Sequence, residues 1–402
     1  MSYKPADWEA VMAPNYATPA LELVRGQGAK VWDSEGKAYL DLLAGIAVNA
    51  LGHAHPAVVK AVAEQVARLG HTSNLFANEP AVRLAGRLQH ETTRFGPGHK
   101  VIFQNSGTEA NEAAFKLVRR HAHAQGMPDG VTLAFTNSFH GRTLAAVTLT
   151  GQPHYQERFA PLVQQIVHVP FNDPAALEQA FAQHKVAGVF FESVQGEGGV
   201  LPMDKATAAT LKRLATANKA LLVADEIQAG VGRTGRFFGF EHDGLAPDVI
   251  TLAKGIGGGL PLGAVLIHPR AASLFEAGAH GTTFGGNPIC CAAGNAVLDQ
   301  LEGHGLAARA GRLGAKFMAA LQAEGMQARG RGLLVGAPLP GPVAPQALAQ
   351  LRADGILAGQ AGKGVLRFAP PLIVPEADLL AAVPKVAAAV RAQAAPPASA
   401  TA

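Results

Sequence analysis

Uninterrupted apolar segments alternate with longer amphipathic segments between about residues 56 and 290. Continuous apolar runs in which polar and apolar positions do not alternate are typical of strands that are buried on both faces of a sheet. Strands are therefore predicted at 101–103, 131–135, 145–149, 188–192, 221–224, 249–252 and 264–267. Because the segments between many of them have helical spacing, the pattern predicts an α/β sheet.

Two helices can be placed by their first residues. Pro56 suits the first turn of a helix, and apolar residues on one face follow it until Gly70 ends the pattern. Residues 106–109 read Ser-Gly-Thr-Glu, a capping-box signature, and helical spacing continues to about residue 121. Roughly the last 100 residues contain Ala-rich helical segments broken by glycines, which favours a smaller α+β lobe.

The length of 402 residues is enough for two or three domains with large cores. We predict the N-terminal part of a small domain at 1–55, a large domain at 56–305 and the C-terminal part of the small domain at 306–392. Residues 393–402 have almost nothing large to bury and are predicted to form a flexible tail.

Composition narrows the class of protein. The chain is 48% hydrophobic and 16% charged, which excludes an intrinsically disordered protein. Its formal net charge of +4 comes without a block of Lys and Arg, so we expect no nucleic-acid partner. It has no apolar run of ~18 residues and no signal-peptide core at its start, so we expect no membrane partner. Its adjacent Cys290 and Cys291 are ill placed for a disulfide, which favours a reducing, cytoplasmic location.

Charged groups stand at the ends of two predicted strands. Asp225 and Glu226 end one apolar strand, and Lys254 ends the next one along the chain. Strand ends of open α/β sheets border ligand crevices, and a lysine kept dry there can lose its proton and form a Schiff base. Taken alone, each group is more often a solvated surface residue. Together they favour pyridoxal phosphate, which needs such a lysine and an acid for its ring nitrogen.

Further residues could bind the other parts of such a cofactor and its substrates. The helix that begins at Ser106 could bind a phosphate at its N-terminus, although an ordinary capped helix has the same sequence. Phe139 could stack on a ring and Arg142 could grip a carboxylate, or they could be a core Phe and a surface Arg. Arg367 interrupts an apolar segment, so it needs a carboxylate partner from the protein or a substrate.

Other patterns point to different chemistry. Residues 230–235 match G-x-G-x-x-G, but no βαβ unit is predicted around them, so a dinucleotide site is disfavoured. The His-Ala-His pairs at 53–55 and 121–123 have neither cysteine support nor a zinc-type spacing, so we expect no metal.

Over about residues 15–385 the sequence resembles the class III (ω-amino) aminotransferases of fold type I. The main signature runs from Val-Ala-Asp-Glu-Ile-Gln at 223–228 through Asp248 to Lys-Gly-Ile-Gly-Gly-Gly at 254–259. Other matching blocks lie at 47–53, 105–111, 139–143, 195–199 and 282–288. The resemblance implies a large domain with a mostly parallel central sheet, a smaller α+β domain built from both termini, and pyridoxal 5′-phosphate as cofactor.

The resemblance also implies roles for individual residues. Lys254 and Asp225 would be catalytic: Lys254 as Schiff base and proton carrier, Asp225 as partner of the ring nitrogen. The cofactor-binding residues it implies are Gly107, Thr108, Phe139, Asp225, Gln228, Lys254 and, from the neighbouring subunit of a homodimer, Thr283. The substrate-binding residues it implies are Asn49, Arg142, Glu197, Thr282 and Arg367. Arg142 would bind the donor's α-carboxylate, and Glu197 would pair with Arg367 until 2-oxoglutarate enters.

The amino donor that the resemblance implies is N2-acetylornithine, with 2-oxoglutarate as acceptor, in arginine biosynthesis. Relatives that act on ornithine carry a tyrosine near residues 47–49 and usually a tryptophan at position 140, and this chain has neither. Succinyldiaminopimelate, carrier-bound lysine, ornithine and 4-aminobutyrate stay open as donors. The remaining alternatives are a pyridoxal-phosphate aminomutase or decarboxylase, and a nucleotide-binding oxidoreductase without that cofactor. Residues 332–338 depart from the family pattern because they lack an acidic residue.

Overall fold

Strands and helices alternate through the middle of the chain in the computed structural model, which describes residues 5–362 and 364–394. Its strands are β1 (Leu23–Gln27), β2 (Lys30–Asp33), β3 (Ala38–Asp41), β4 (Lys100–Gln104), β5 (Val131–Phe135), β6 (Ile166–Val169), β7 (Val186–Phe191), β8 (Val194–Gln195), β9 (Leu201–Pro202), β10 (Leu221–Asp225), β11 (Val249–Leu252), β12 (Gly263–Ile267), β13 (Arg329–Arg331), β14 (Leu334–Pro338), β15 (Ile356–Leu357), β16 (Gly359–Ala361) and β17 (Val365–Phe368). Its α-helices are α1 (Pro5–Val11), α2 (Ala44–Ala47), α3 (Pro56–Arg68), α4 (Glu79–Thr92), α5 (Gly107–Ala124), α6 (Leu144–Leu149), α7 (Pro174–Gln183), α8 (Lys205–Asn218), α9 (Pro269–Ala272), α10 (Pro288–Gly303), α11 (Leu306–Ala323), α12 (Ala344–Ala353), α13 (Glu376–Ala381) and α14 (Val383–Ala394).

A sheet with seven described strands forms the centre of the larger lobe, in the order β4-β12-β11-β10-β7-β5-β6. Strand β12 runs antiparallel to β4 and β11, and the other neighbouring pairs are parallel. Strands β7, β10, β11 and β12 are buried along their whole length, which explains their unbroken apolar sequence. The predicted α/β fold is confirmed.

A smaller lobe draws on both ends of the chain. Strands β1, β2 and β3 form one sheet with β15, which pairs with β3 in parallel. Strands β13, β14, β17 and β16 form a second sheet, against which the C-terminal helices pack. The predicted domain boundaries fall immediately before α3 and between α10 and α11. Helix α14 extends into the predicted tail as far as Ala394, and residues 395–402 lie outside the described residues.

The prediction of a strand at 145–149 is wrong, because α6 occupies this segment as a helix. Its residues Ala145 to Leu149 are buried on all sides, and a helix buried all round has the same unbroken apolar sequence as a buried strand. Strand β6 was not predicted, because it lies at the sheet edge with a histidine among its half-buried residues.

The apolar face of α3 is only partly covered by the rest of the chain. Val58 is buried, whereas Val66 is 55% exposed and Leu69, which follows the helix, is 44% exposed. A hydrophobic face left open in this way is typical of a surface that meets another protein.

None of the helices in the described part of the chain has both the length and the apolar character that crossing a bilayer requires. Within the same residues, no cluster of three His, Cys, Asp or Glu side chains is placed to hold a metal ion.

Candidate active site

A cavity of about 490 Å³ opens at the carboxyl ends of β10 and β11. This is where an α/β sheet places ligands, because the loops that leave neighbouring parallel strands diverge there. Predicted site residues that line it are Gly107, Thr108, Phe139, Arg142, Asp225, Gln228 and Lys254. Segments far apart in sequence therefore meet at one site.

Lys254 follows β11 and stands half-buried at the cavity wall. Its backbone has a positive φ of 47°, where the chain turns into a short 3₁₀ helix. Desolvation lowers the pKa of Lys254 below the ordinary lysine value, although the negative charge of Glu197 opposes that shift. A lysine with a lowered pKa loses its proton more readily, which suits a nucleophile or a base.

Asp225 ends β10, and its buried carboxylate is held by hydrogen bonds on both oxygens. Oδ2 accepts from His140 Nδ1 at 2.7 Å and from Asn111 Nδ2 at 2.8 Å. Oδ1 accepts from the backbone N–H of Ile227 at 3.1 Å. These donors fix the position of the carboxylate at the cavity wall.

His140 is buried beside Asp225. Burial alone would lower the pKa of His140, but the hydrogen bond and the charge of Asp225 raise it above the ordinary value. Because a carboxylate only accepts, the proton on this side of the imidazole is on Nδ1. Nε2 has no hydrogen-bond partner among the described residues.

Helix α5 begins at the cavity with Ser106 as its N-cap. Ser106 Oγ accepts from the N–H of Glu109 at 3.3 Å, and Glu109 Oε2 accepts from the N–H of Asn105 at 2.6 Å. The predicted helix start is confirmed. In a capping box Glu109 would accept from the N–H of the N-cap Ser106, whereas here it accepts from the N–H of the preceding Asn105. A Cβ on Gly107 would lie 2.7 Å from the Ile227 side chain, so only glycine fits there.

Thr108 ties this helix start to the loop that carries Arg142. Thr108 Oγ1 accepts from the N–H groups of Arg142 and Thr143, both at 3.2 Å. The exposed Arg142 guanidinium lies over the ring of Tyr155, with Cζ 3.9 Å from the centroid, and 5.6 Å from that of Phe139. Tyr155 was not predicted from the sequence, because no local motif marks it.

Arg367 is 4% exposed in β17 and forms an ion pair with Glu197. Its Nη1 also donates to Gln228 Oε1 at 3.3 Å. The carboxylate partner expected for Arg367 is therefore provided by the protein itself. A Cβ on Gly196 would lie 2.3 Å from Gln228 Oε1, so the close approach of Gln228 requires glycine.

The described lining of the main cavity does not include Asn49, Glu197, Thr282, Thr283 or Arg367. Asn49 borders it, because a Cβ on the lining residue Gly259 would lie 3.1 Å from Asn49 Oδ1. Thr282 and the exposed Thr283 line a neighbouring cavity of about 380 Å³, which shares Asn105 with the main one.

The chain matches the family model for "Aminotransferase class-III" over residues 11–390. It belongs to the class III aminotransferases. Relatives of this aminotransferase include the acetylornithine aminotransferase of Mycolicibacterium smegmatis, 48% identical over 92% of this chain and 94% of the relative. The acetylornithine aminotransferase of Streptomyces coelicolor is 49% identical over 91% of this chain and 90% of the relative.

Solved structures of aminotransferases share the fold. The ornithine aminotransferase of Toxoplasma gondii superposes with a TM-score of 0.90 at 32% identity and covers 96% of this aminotransferase and 95% of its own chain. The N-acetylornithine aminotransferase of Stenotrophomonas maltophilia has a TM-score of 0.83 at 36% identity. The match covers 97% of this chain and 99% of the Stenotrophomonas chain. A second Toxoplasma structure has partial occupancy of PLP at its active site. The predicted family, fold type I and pyridoxal-phosphate cofactor are confirmed.

The residues of this aminotransferase fit pyridoxal phosphate. The Asp225 carboxylate at the cavity wall matches a protonated ring nitrogen. The start of α5 offers free N–H groups to a phosphate, and a side chain at Gly107 would clash there with Ile227. The half-buried Lys254 stands in the same cavity.

Glu192 is a residue of this aminotransferase site that the sequence reasoning missed. It lines the cavity just after β7, and its carboxylate accepts from the N–H groups of Phe139 at 3.1 Å and Gly196 at 3.4 Å. Burial raises the pKa of Glu192 to about 8, and the charge of Asp225 adds to that shift against the opposing effect of His140. The strand-end argument that selected Asp225 could have selected Glu192 as well.

The G-x-G-x-x-G segment has a packing role in this aminotransferase. A Cβ on Gly235 would lie 2.9 Å from Gly311 of α11, so the glycine allows close helix packing. Arg233 in the same segment is buried and donates to the carbonyl oxygens of Leu333 and Pro370.

Proposed function

We propose that this class III aminotransferase transfers the ω-amino group of N2-acetylornithine to 2-oxoglutarate, giving N-acetylglutamate 5-semialdehyde and glutamate, in arginine biosynthesis. The observation that carries the proposal is the meeting of Lys254, Asp225 and the exposed Arg142 in one cavity. Identities of 48% and 49% to two acetylornithine aminotransferases support the choice of donor.

When bound, pyridoxal 5′-phosphate supplies an electron sink for the charge that develops on the donor carbon. Lys254 would hold it covalently, and Asp225 would pair with its ring nitrogen. The further cofactor contacts are assigned to Gly107, Thr108, Phe139 and Gln228, with Thr283 from a second subunit.

Lys254 is also the proton carrier. Its lowered pKa makes the uncharged amine easier to form, and an uncharged Nζ can take the proton from the carbon that bears the donor's amino group. Three donors hold the oxygens of Asp225 in place, so its carboxylate can accept a hydrogen bond from a protonated ring nitrogen.

Two arginine side chains bind the carboxylates of the two substrates. The exposed Arg142 binds the α-carboxylate of the donor, far from the reacting amine, and Asn49 and Thr282 complete the substrate contacts. Arg367 forms an ion pair with Glu197, and this pair would persist while the donor is bound. When 2-oxoglutarate enters, this pair opens and Arg367 binds the α-carboxylate of the keto acid.

The active unit in this proposal is a homodimer. Exposed apolar side chains support it: Phe284, next to Thr283, is 59% exposed, and Phe76 is 71% exposed. Phe76 follows Asn74, whose Nδ2 donates to the carbonyl oxygen of Gly285 at 2.9 Å. The exposed part of α3 would add to the same interface. We also assign the enzyme to the cytoplasm, because Cys290 and Cys291 are free thiols and suit a reducing compartment.

Incubation of the purified chain with pyridoxal phosphate and a panel of ω-amino donors tests the proposal. N-acetylornithine should bleach the visible absorbance of the Lys254-bound cofactor, and glutamate should form only when 2-oxoglutarate is added. Turnover without a keto acid would instead indicate an aminomutase or a decarboxylase. Faster turnover of succinyldiaminopimelate, carrier-bound lysine, ornithine or 4-aminobutyrate would replace the proposed donor.

Light scattering coupled to gel filtration tests the homodimer. The parent chain should elute at twice the mass of one chain, and Phe76→Glu should shift it towards the monomer, because a charge cannot be buried unpaired in an interface. A monomeric parent with full activity would overturn the assignment of Thr283 to a second subunit.

A further inference from the structure

We propose that Tyr155 is a positioning residue for the amino donor: its ring holds the Arg142 guanidinium in the plane that a donor carboxylate can bind. The inference rests on the proposed function, which gives Arg142 the donor's carboxylate. It adds a residue outside every matching sequence block and outside the lining of the main cavity.

The guanidinium carbon of Arg142 lies over the face of the Tyr155 ring. Arg142 Cζ lies 3.9 Å from the ring centroid of Tyr155, and within the described part of the chain its guanidinium meets aromatic rings rather than a carboxylate. A ring on the face of a guanidinium attracts its charge without using its in-plane N–H groups. The edge of Arg142 therefore stays free for a bidentate carboxylate.

The position of Tyr155 is itself fixed from several sides. Its ring meets Phe139 edge to face, with centroids 5.7 Å apart and planes at 77°. The next residue, Gln156, anchors the segment because its Nε2 donates to the carbonyl oxygen of Thr150 at 2.7 Å. On the other side, Gln152 Nε2 donates to the carbonyl oxygen of Ser138 at 3.1 Å.

These contacts link the carboxylate site to the cofactor site. Phe139 lines the main cavity and touches Tyr155, while Thr108 at the start of α5 holds the backbone N–H of Arg142. Packed rings and a hydrogen bond thus connect Arg142 to the main cavity. An exposed arginine without the ring would lose more conformational entropy when it binds a carboxylate.

The test follows the donor half-reaction of the holoenzyme by cofactor absorbance in single turnovers. N-acetylornithine and n-pentylamine, which lacks a carboxylate, are compared for the parent, Tyr155→Leu, Tyr155→Phe, Arg142→Ala and the Arg142→Ala/Tyr155→Leu double variant. Tyr16→Leu is the matched control, because Tyr16 is 74% exposed.

Tyr155→Leu should raise the apparent Kd for N-acetylornithine about 3- to 30-fold, while the rate at saturation changes less than about twofold. Tyr155→Phe keeps the ring face and should stay within about twofold of the parent, as should Tyr16→Leu. The constants for n-pentylamine should not change in any Tyr155 variant. In the Arg142→Ala background, Tyr155→Leu should have no further effect, because the two residues act as a unit.

The outcomes separate this proposal from the proposed function. If Arg142→Ala leaves the apparent Kd for N-acetylornithine unchanged, the carboxylate role of Arg142 is wrong. If Arg142→Ala weakens binding but Tyr155→Leu does not, only the role of Tyr155 is overturned. The role of Tyr155 is also overturned if Tyr155→Leu weakens the binding of n-pentylamine as much as that of N-acetylornithine. Additive losses of N-acetylornithine affinity in the double variant would overturn it as well. If Tyr155→Leu does not retain the cofactor, it is replaced in the test by Tyr155→Gln, which also lacks a ring face. The same criteria then apply to Tyr155→Gln.

Discussion

His140 Nδ1 donates to Asp225 Oδ2 at 2.7 Å, and the two side chains are 0% and 4% exposed. Both residues line the main cavity, and their low exposure shields the hydrogen bond from solvent. Asn111 supports the same oxygen and is itself held by Thr251, whose Oγ1 donates to Asn111 Oδ1 at 2.9 Å. The acid proposed to face the cofactor is therefore fixed by a buried network.

Replacement of His140 by Phe should weaken both folding and catalysis. An aromatic ring is kept, but Asp225 loses one donor, so the free energy of unfolding of the apoprotein, measured in urea, should fall by about 1.5–3 kcal/mol. The donor half-reaction should slow about tenfold, which corresponds to about 1.4 kcal/mol less stabilisation of its transition state by Asp225.

The buried His121 offers a matched control for His140. Its Nε2 pairs with the carbonyl oxygen of Lys219 at 2.8 Å, away from the cavity. His121→Phe should cost about 1 kcal/mol of stability and leave the half-reaction unchanged. A His140→Phe enzyme with the parent rate would refute the supporting role of His140.

Lys254→Ala should abolish turnover and remove the covalent link to the cofactor. The loss of the proposed proton carrier alone should lower the rate about 10²–10⁴-fold, and the loss of the nucleophile should lower it further. Borohydride reduction followed by mass spectrometry should show the cofactor on the peptide that contains Lys254 in the parent and on none in the variant. Lys212→Ala removes an exposed lysine and should behave as the parent does. Retained turnover in Lys254→Ala would place the Schiff base on another lysine.

The local sequence was enough to predict the strand ends that carry Asp225 and Lys254 and the helix that begins after Ser106. Each of these depends on a run of neighbours: an unbroken apolar strand, or a cap followed by helical spacing. The error at 145–149 arose for the same reason, because a buried helix such as α6 presents the same unbroken apolar run.

The contacts of Tyr155 and Glu192 could not be predicted from the sequence. Tyr155 lies against Arg142 in a segment that Gln152 and Gln156 tie to carbonyl oxygens earlier in the chain. Such pairs depend on tertiary packing, which no sequence period encodes. The resemblance named Glu197 and Arg367 as a pair, but their sequence neighbourhoods alone left the partner of Arg367 open.

Glu192 should make the apoprotein less stable as the pH rises. The pKa of Glu192 is raised to about 8 by burial, so between its unfolded value near 4.5 and pH 8 the folded chain holds a proton that the unfolded chain has lost. The free energy of unfolding should therefore fall with pH across this window, by up to about 1.4 kcal/mol per pH unit from this group.

Urea unfolding from pH 5 to 8 measures the contribution of Glu192. Glu192→Gln cannot titrate, so its stability should fall less steeply than that of the parent, and the raised pKa of His140 accounts for part of the slope that remains. Glu178→Gln replaces an exposed carboxylate and should follow the parent. Parallel curves for the parent and Glu192→Gln would contradict a proton on Glu192 in the folded chain.

Gly196→Ala should displace Gln228 and weaken the acceptor half-reaction. The new Cβ would lie 2.3 Å from Gln228 Oε1, which accepts from Arg367, so the side chain must move away from the cavity wall. We expect the apparent Kd for 2-oxoglutarate to rise about tenfold, corresponding to about 1.4 kcal/mol. Gly86→Ala is the control, because a Cβ there meets nothing within 4 Å in α4, and it should raise the free energy of unfolding by about 0.5–1 kcal/mol with unchanged kinetics. Equal 2-oxoglutarate affinities in the two variants would show that Gln228 tolerates the displacement.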